Sequence, residues 1–275
     1  MKICLLAHFY KLDGNSISRV VLLTAKYLSN NGYEVTIILP KKFIIPSDLF
    51  CKKIRYVMPY INPRIRGGFS FFEIFYKLYI ILFYKFDVIY VYRGLRPSSI
   101  IPAFFAKYFL NIKVFEEWWE WYGNEGIGKS RKGIFGKLIS IYDEIFELRS
   151  KNIYDGIVCI NKVLFNRIKA NHNALILRGG SENKSINKYK IFEARKMLNL
   201  NKSKIILGLS NFDKSDLRDN LPFIRALDKI QNDKLHLVIT GGDNSLISKY
   251  LNKNKFTNLG WISFLEYNYF LSACD

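Results

Sequence analysis

Apolar residues in this chain fall mostly into short unbroken runs, and between the runs they recur every three or four positions. Most of the runs at 2–7, 34–39, 54–58, 87–92, 112–115, 156–160 and 174–177 show no alternation, which predicts parallel strands buried on both faces. The helical period between them predicts helices over 16–31, 69–85, 98–110, 134–151 and 162–171. Asn30, Asn31 and Gly32 stop the first helix directly before the next strand. Strand alternating with helix implies a parallel sheet with right-handed crossovers.

A polar, glycine-containing stretch follows at 178–190, RGGSENKSINKYK, and then the same plan restarts. A helix over 191–199 leads into strand 204–209, helix 221–231, strand 235–240, helix 245–252, a short strand near 257–259 and helix 264–274. The expected architecture is therefore α/β, with two Rossmann-like doubly wound domains and a cleft between them. Their expected bounds are 1–180 and 203–275, joined by a linker and connecting helix at 181–202. The second domain reads as incomplete, because the sequence stops at Asp275 where another buried strand is expected to begin. An open apolar strand edge there predicts poor solubility or a loose second unit unless another chain covers it.

Residues 69–86, FSFFEIFYKLYIILFYKF, stand apart. Glu73, Lys77 and Lys85 fall at four-residue multiples and share one narrow stripe, and the rest of the helix is apolar. A helix apolar almost all round is either buried or lying in a membrane interface. Burial between sheet and neighbouring helices is the ordinary outcome. The surplus of Phe and Tyr, with Arg64 and Arg66 just upstream, keeps membrane docking open.

Composition sharpens the partner question. The 275 residues are 49% hydrophobic and 16% aromatic, a globular composition, and carry a formal charge of +19. The excess of Lys and Arg is spread along the chain. It reads either as a bias towards Lys, Ile, Asn, Phe and Tyr or as attraction to anionic lipid or a polyanionic substrate. No nucleic-acid partner is expected, since no basic run alternates with exposed aromatics in a recognised binding module. Four cysteines stand far apart without a CxxC pair, which suits a reducing cytoplasm. Three histidines without ligand spacing give no reason to expect a metal. No signal peptide is read, because 1–6 already forms a strand. Uncharged runs reach only about ten residues, against roughly 20 needed to span a bilayer.

Three stretches could carry chemistry. In the loop after the first strand, His8 to Ser18, Gly14–Asn15–Ser16 opens a helix whose free N–H groups favour an anion. Asn15 or Ser16 as a plain helix cap is the competing reading. VFEEWWEWYGNEGIG starts at the end of the 112–115 strand and crowds Glu116, Glu117 and Glu120 among Trp118, Trp119 and Trp121. A carboxylate beside indoles can have a raised pKa suited to a general base, and indole faces stack on sugar rings. Equally, the tryptophans could cover the sheet end while the glutamates stay in water. GLSNFDKSDLRDN puts Asn211, Lys214 and Arg218 after a strand, with Gly241 and Gly242 in ITGGD after the next. Cations beside a helix start make a diphosphate site, and a solvated polar loop is the plainer alternative. GxGxxG, GxSxG and GxxxxGK[ST] are all missing.

In order, these pieces resemble a GT-B-fold glycosyltransferase of the large retaining family four, across essentially the whole chain. The family opens with a strand, a glycine loop, a helix and GHEVTV, matched here by Gly14–Asn15, a helix and NGYEVTII. Its ADxIIAVS strand is matched by YDGIVCIN at 154–161, and its NGVD turn by RGGSE at 178–182. LGLSNFDKSDLRDNLPFIRAL follows the donor-domain frame VGRL…KG…LLxA, but lacks the Arg after the glycine and aligns Arg218–Asp219 with the Lys–Gly pair. LVITGGD resembles LVIVGxG, and FTNLGWISFLEYNYFLSACD resembles VxFxGxVxxxELxxYYxxAD. The family's EX7E stretch and the GxP segment after it have no counterpart before Asp275.

The resemblance implies transfer of a hexose from a nucleotide-sugar donor to a lipid-linked or surface-glycan acceptor, with retention and without a metal or other cofactor. It implies donor contacts from Gly14, Asn15, Asn211, Lys214, Arg218, Gly242, Gly260, Trp261 and Ile262. Glu116 and Glu117 become the catalytic candidates, and His8, Arg93, Trp118 and Trp119 the acceptor-side ones. The expected location is the cytoplasm, at the inner face of a membrane whose anionic surface is a further partner. The alternative is a truncated, non-catalytic remnant or a module that binds acceptor or membrane.

Overall fold

The computed structural model describes residues 1–7, 16–39, 43–58, 68–92, 95–123, 126–131, 133–168, 173–177, 190–210, 217–230, 232–241, 247–252 and 255–275. The chain divides into two compact units, Met1–Gly179 and Gly180–Asp275.

The first unit is built on β1 (Lys2–Ala7), β2 (Glu34–Ile38), β3 (Arg55–Val57), β4 (Val88–Tyr92), β5 (Lys113–Trp118), β6 (Gly156–Cys159) and β7 (Ala174–Ile176). They pair in the order β3-β2-β1-β4-β5-β6-β7, every pair parallel. The helices of this unit are α1 (Ser16–Asn30), α2 (Phe71–Tyr84), α3 (Pro97–Leu110), α4 (Gly133–Ser150) and α5 (Lys162–Ile168). Chain order reverses between β1 and β4, the topological switch point where open α/β sheets hold ligands beyond the carboxyl ends of their strands. Ala7 lies opposite Tyr92 there, and Tyr92 lies opposite Glu117, so three strands end level with one another.

The strand expected at 112–115 runs on to Trp118, because β6 pairs alongside it as far as Trp118 and Cys159. Glu116 and Glu117 are thus strand residues, not loop residues. Two apolar layers sandwich the sheet. One joins Ile3, Leu5 and Ala7 to Val21, Leu22 and Ala25 of α1; the other joins Cys4, Leu6 and Val91 to Ile80 and Ile81 of α2 and Ala103 and Ala106 of α3.

Helix α2 is capped by Ser70, whose Oγ accepts from the Glu73 N–H, and closes at Lys85 in the left-handed region with φ 45°. Its polarity is reversed. The stripe carrying Glu73 and Lys77 turns inward with Ile74, Ile80 and Ile81, while Phe71, Phe72, Phe75, Tyr79, Phe83 and their neighbours face outward. Burial of this helix is therefore one-sided, and the buried side holds the charges. No helix among the described residues is long and apolar enough to cross a membrane.

The second unit holds β8 (Ile205–Leu209), β9 (Leu235–Ile239) and β10 (Phe256–Asn258), a parallel sheet in the order β10-β9-β8. On one face α7 (Leu217–Lys229) packs Ile224 and Leu227 on Leu237 and Ile239. On the other, α6 (Ile191–Met197) and α8 (Phe264–Ala273) pack Ala194, Phe270 and Ala273 on Ile206 and Val238. Helix α7 starts four residues before the expected 221, so that Pro222 lies inside it. Helix α8 opens on a capping box between Ser263 and Glu266. Arg195 of α6 is buried and ties this unit together. It donates to the carbonyls of Lys202, Lys204 and Ala273 at 3.0–3.1 Å and to Asp275 Oδ2 at 2.5 Å. The same Asp275 oxygen accepts from the Ile206 N–H at 2.7 Å.

Candidate functional site

Along a strand, side chains alternate between faces, so residues two apart are neighbours. In β5 this sends Val114, Glu116 and Trp118 to one face and Phe115 and Glu117 to the other. Each glutamate then meets the indole two positions on. Trp118 Nε1 donates to Glu116 Oε2 at 2.6 Å, and Trp119 Nε1 donates to Glu117 Oε1 at 2.5 Å. The adjacent glutamates therefore belong to different environments.

Glu116 is 0% exposed and Trp118 is also buried. The Glu116 charge lies close enough to Tyr154 and Cys159 to add to the effect of burial, which holds the tyrosine well above its usual value and lifts the cysteine to about 11. This carboxylate is walled in by protein. Glu117 is only partly buried. Its second oxygen accepts from the Tyr90 hydroxyl at 2.8 Å, and Tyr90 packs edge-on against Tyr92 with ring centres 5.1 Å apart. Burial raises the Glu117 pKa, and the bonds from Tyr90 and Trp119 pull it partway back. Both tyrosines are held above their usual value, first by burial and then by the Glu117 charge, so they stay protonated. The result is a carboxylate held between a phenol and an indole, with basicity to accept a proton.

A second polar group reaches the switch point from the opposite face. Lys77 Nζ bonds Glu73 Oε1 at 2.7 Å and donates to the carbonyl of Ala7, the last residue of β1, at 3.3 Å. Tyr90, Glu73 and Lys77 were not among the expected site residues. The signal available for two of them was an i,i+4 charge pair in an otherwise apolar helix.

Buried acids anchor the wall beyond β5. Glu147 of α4 accepts from the Gly123 N–H at 2.8 Å and from Arg167 Nε at 3.2 Å, and the Arg167 guanidinium lies 3.7 Å from the Trp121 ring centre. Asp143, one helical turn earlier, is shared by Arg96 at 2.5 Å and Arg131 at 2.6 Å.

Glu116, Glu117, Trp118 and Trp119 are thus gathered at one strand end, with the two pairs on opposite faces. His8, Gly14, Asn15 and Arg93 lie outside the described residues, as do Asn211, Lys214 and Gly242. In the second unit Arg218 falls in the first turn of α7. Gly260, Trp261 and Ile262 follow β10. Gly260 takes a φ of 68°, which favours glycine, and its carbonyl accepts from the Gly241 N–H at 2.6 Å. That bond joins the turns after β9 and β10, and it leaves Trp261 74% exposed beside them. Among the described residues no group of three or more His, Cys, Asp or Glu could hold a metal ion.

No protein-family model and no curated protein matches the sequence. Solved structures do match. Anabaena Alr3699/HepE in complex with UDP and glucose is similar at a TM-score of 0.69 and 12% identity, over 100% of this chain and 73% of that one. WaaG, a glycosyltransferase involved in lipopolysaccharide biosynthesis, is similar at a TM-score of 0.68 and 11% identity, over 100% and 73%. A putative UDP-N-acetylglucosamine 2-epimerase from Listeria monocytogenes is similar at a TM-score of 0.57 and 12% identity, over 99% and 72%. At these identities the likeness shows the fold, that of GT-B glycosyltransferases, and the epimerase marks that one fold serves more than one reaction.

Proposed function

We propose that this chain is a retaining hexosyltransferase that passes a sugar from a nucleotide-sugar to a lipid-linked or surface-glycan acceptor. In this reading the first unit holds the acceptor and the second the donor. The observation that carries it is Glu117, a partly buried carboxylate of raised pKa beside the switch point of a GT-B fold. In transfer with retention, the acceptor oxygen bonds C1 of the hexose on the face from which the diphosphate departs, as the bond from C1 to the diphosphate breaks, and the acceptor proton passes to Glu117. Trp119 offers an indole face to a sugar ring. Arg218, with Lys214, neutralises the departing diphosphate, a role that needs no metal. Gly260 and the exposed Trp261 border the nucleoside.

The reading includes work at the cytoplasmic face of a membrane, supported by the +19 charge and the outward apolar face of α2. That face favours one other reading, a membrane-binding module without transferase activity. Calorimetric titration with UDP, GDP, ADP and their hexose conjugates separates the two. Saturable binding of one conjugate, weakened at least tenfold in Arg218→Ala, is expected; binding of none of them overturns the transferase reading.

A further inference from the structure

The far end of α2 carries a feature the transfer reading does not use. Lys2, Lys52, Lys53 and Arg55 line an open cavity of about 450 Å³, with Glu34 its one carboxylate and Tyr84 and Phe86 its apolar wall. The cavity lies at the amino ends of β1, β2 and β3, since Lys2, Glu34 and Arg55 are the first residues of those strands. It is thus at the opposite edge of the sheet from Glu117. The Arg55 guanidinium lies 4.8 Å from the ring centre of Tyr84, the last residue of α2, so the cationic cavity and the aromatic helix adjoin.

The helix face beside it is apolar from end to end. Its rings form a chain, with Tyr76 and Tyr79 6.2 Å apart and Tyr79 and Phe83 4.2 Å apart. The neighbouring α3 extends it with exposed Phe104, Tyr108 and Phe109. Twelve large apolar side chains of α2 and α3 are exposed, far more than scattered surface hydrophobes would give.

We propose that this cavity takes the phosphate of an anionic phospholipid while the α2–α3 face lies in the bilayer interface. Charge complementarity decides the occupant. Four cations against one carboxylate suit a phosphate, and phenol and phenyl rings beside them suit the headgroup–acyl boundary. A free phosphate has no use for the apolar face, and a protein partner has no general need of the cations. The inference rests on the membrane placement in the proposed function and deepens it.

The test is flotation of the full chain with vesicles of phosphatidylcholine, alone or mixed with phosphatidylglycerol. The parent, a Lys52→Gln/Lys53→Gln/Arg55→Gln variant and a Phe72→Ser/Phe75→Ser/Phe83→Ser variant are compared, with thermal melts confirming their folding. Each removed cation is expected to cost about fivefold in partition into anionic vesicles, so the triple cation variant loses on the order of a hundredfold. Its residual binding to phosphatidylcholine is expected to match the parent's, whereas the aromatic variant loses both. Equal binding to both vesicle types, no binding by the parent, or reversal by millimolar glycerol phosphate overturns the proposal. So does a lipid-free dimer, seen by sedimentation, that the aromatic variant abolishes. Nucleotide-sugar titration of the same proteins keeps the two readings apart. Loss of vesicle binding with intact donor affinity sinks only this one, and lipid-specific binding without donor affinity sinks only the other.

Discussion

The Tyr90 hydroxyl donates to the Glu117 carboxylate at 2.8 Å, bridging β4 and β5 on one face of the sheet, one strand along from the point where chain order reverses. The bond opposes the burial that raises the Glu117 pKa. Removing it in Tyr90→Phe is expected to raise that pKa further and shift the acid limb of the kcat/KM profile to higher pH. Glu117→Gln is expected to abolish the limb and lower kcat by roughly 10²–10⁴. An acid limb that stays put in Tyr90→Phe shows that the phenol does not tune the carboxylate. The same shift has a stability side. With its native pKa above the ordinary 4.5, Glu117 contributes stability that is present below that value and lost as pH rises through the native pKa.

Lys77 and Glu73 test the inward polarity of α2. Both are almost completely buried, so Lys77→Met takes away the cation 2.7 Å from a buried carboxylate and is expected to cost about 3–5 kcal/mol in chemical denaturation. The double variant Glu73→Leu/Lys77→Met removes both charges and is expected to recover most of that. A loss in the double variant equal to the sum of the losses in Glu73→Leu and Lys77→Met alone means that the pair is not coupled.

Arg195 and Asp275 make an acid-sensitive tie in the second unit. The Asp275 pKa is lowered, first by the Ile206 N–H and then by Arg195. A lowered native pKa gives stability that is present above the ordinary value of 3.8 and lost as pH falls through the native pKa. The Ile206 amide should therefore exchange faster with solvent, beyond the intrinsic pH effect, as pH falls below the usual aspartate range. Asp275→Asn should remove that extra dependence, and an unchanged profile in this variant contradicts the tie. Arg195→Leu leaves three carbonyls without their shared donor and is expected to cost at least about 2 kcal/mol.

Trp261 stands exposed beside the tied turns of the second unit, so under the proposed function it should report on the donor. Tryptophan emission is expected to change on titration with the nucleotide-sugar that binds, and Trp261→Phe to remove the change. A full signal in Trp261→Phe puts the nucleoside elsewhere.

Most of the sheet was legible in the chain because central parallel strands are continuous apolar runs. The end of β5 was not, since Glu116 and Glu117 break such a run, and their place in the sheet depends on indole donors two residues on and on pairing with β6. The turn of α2 was legible as a stripe but not its direction. Period fixes which residues share a face, whereas the inward pull on Lys77 comes partly from a carbonyl 70 residues earlier. Tyr90 was hidden for a similar reason: on β4 it reads as one more apolar strand residue, and only the neighbouring strand supplies its partner. Of the candidate site, the carboxylate–indole cluster came straight from the local spelling EEWW, but not its division between two faces.

Reversed polarity in α2 has a consequence for how this domain reaches its final state. Its charges leave water during folding, and its outer rings do not. Chain collapse alone cannot finish removing this hydrocarbon from solvent, so a chaperone that reads exposed rings meets similar signals on the nascent and the folded domain. On the proposed membrane placement, the yield of dispersed protein should depend on what surface is offered when synthesis is complete.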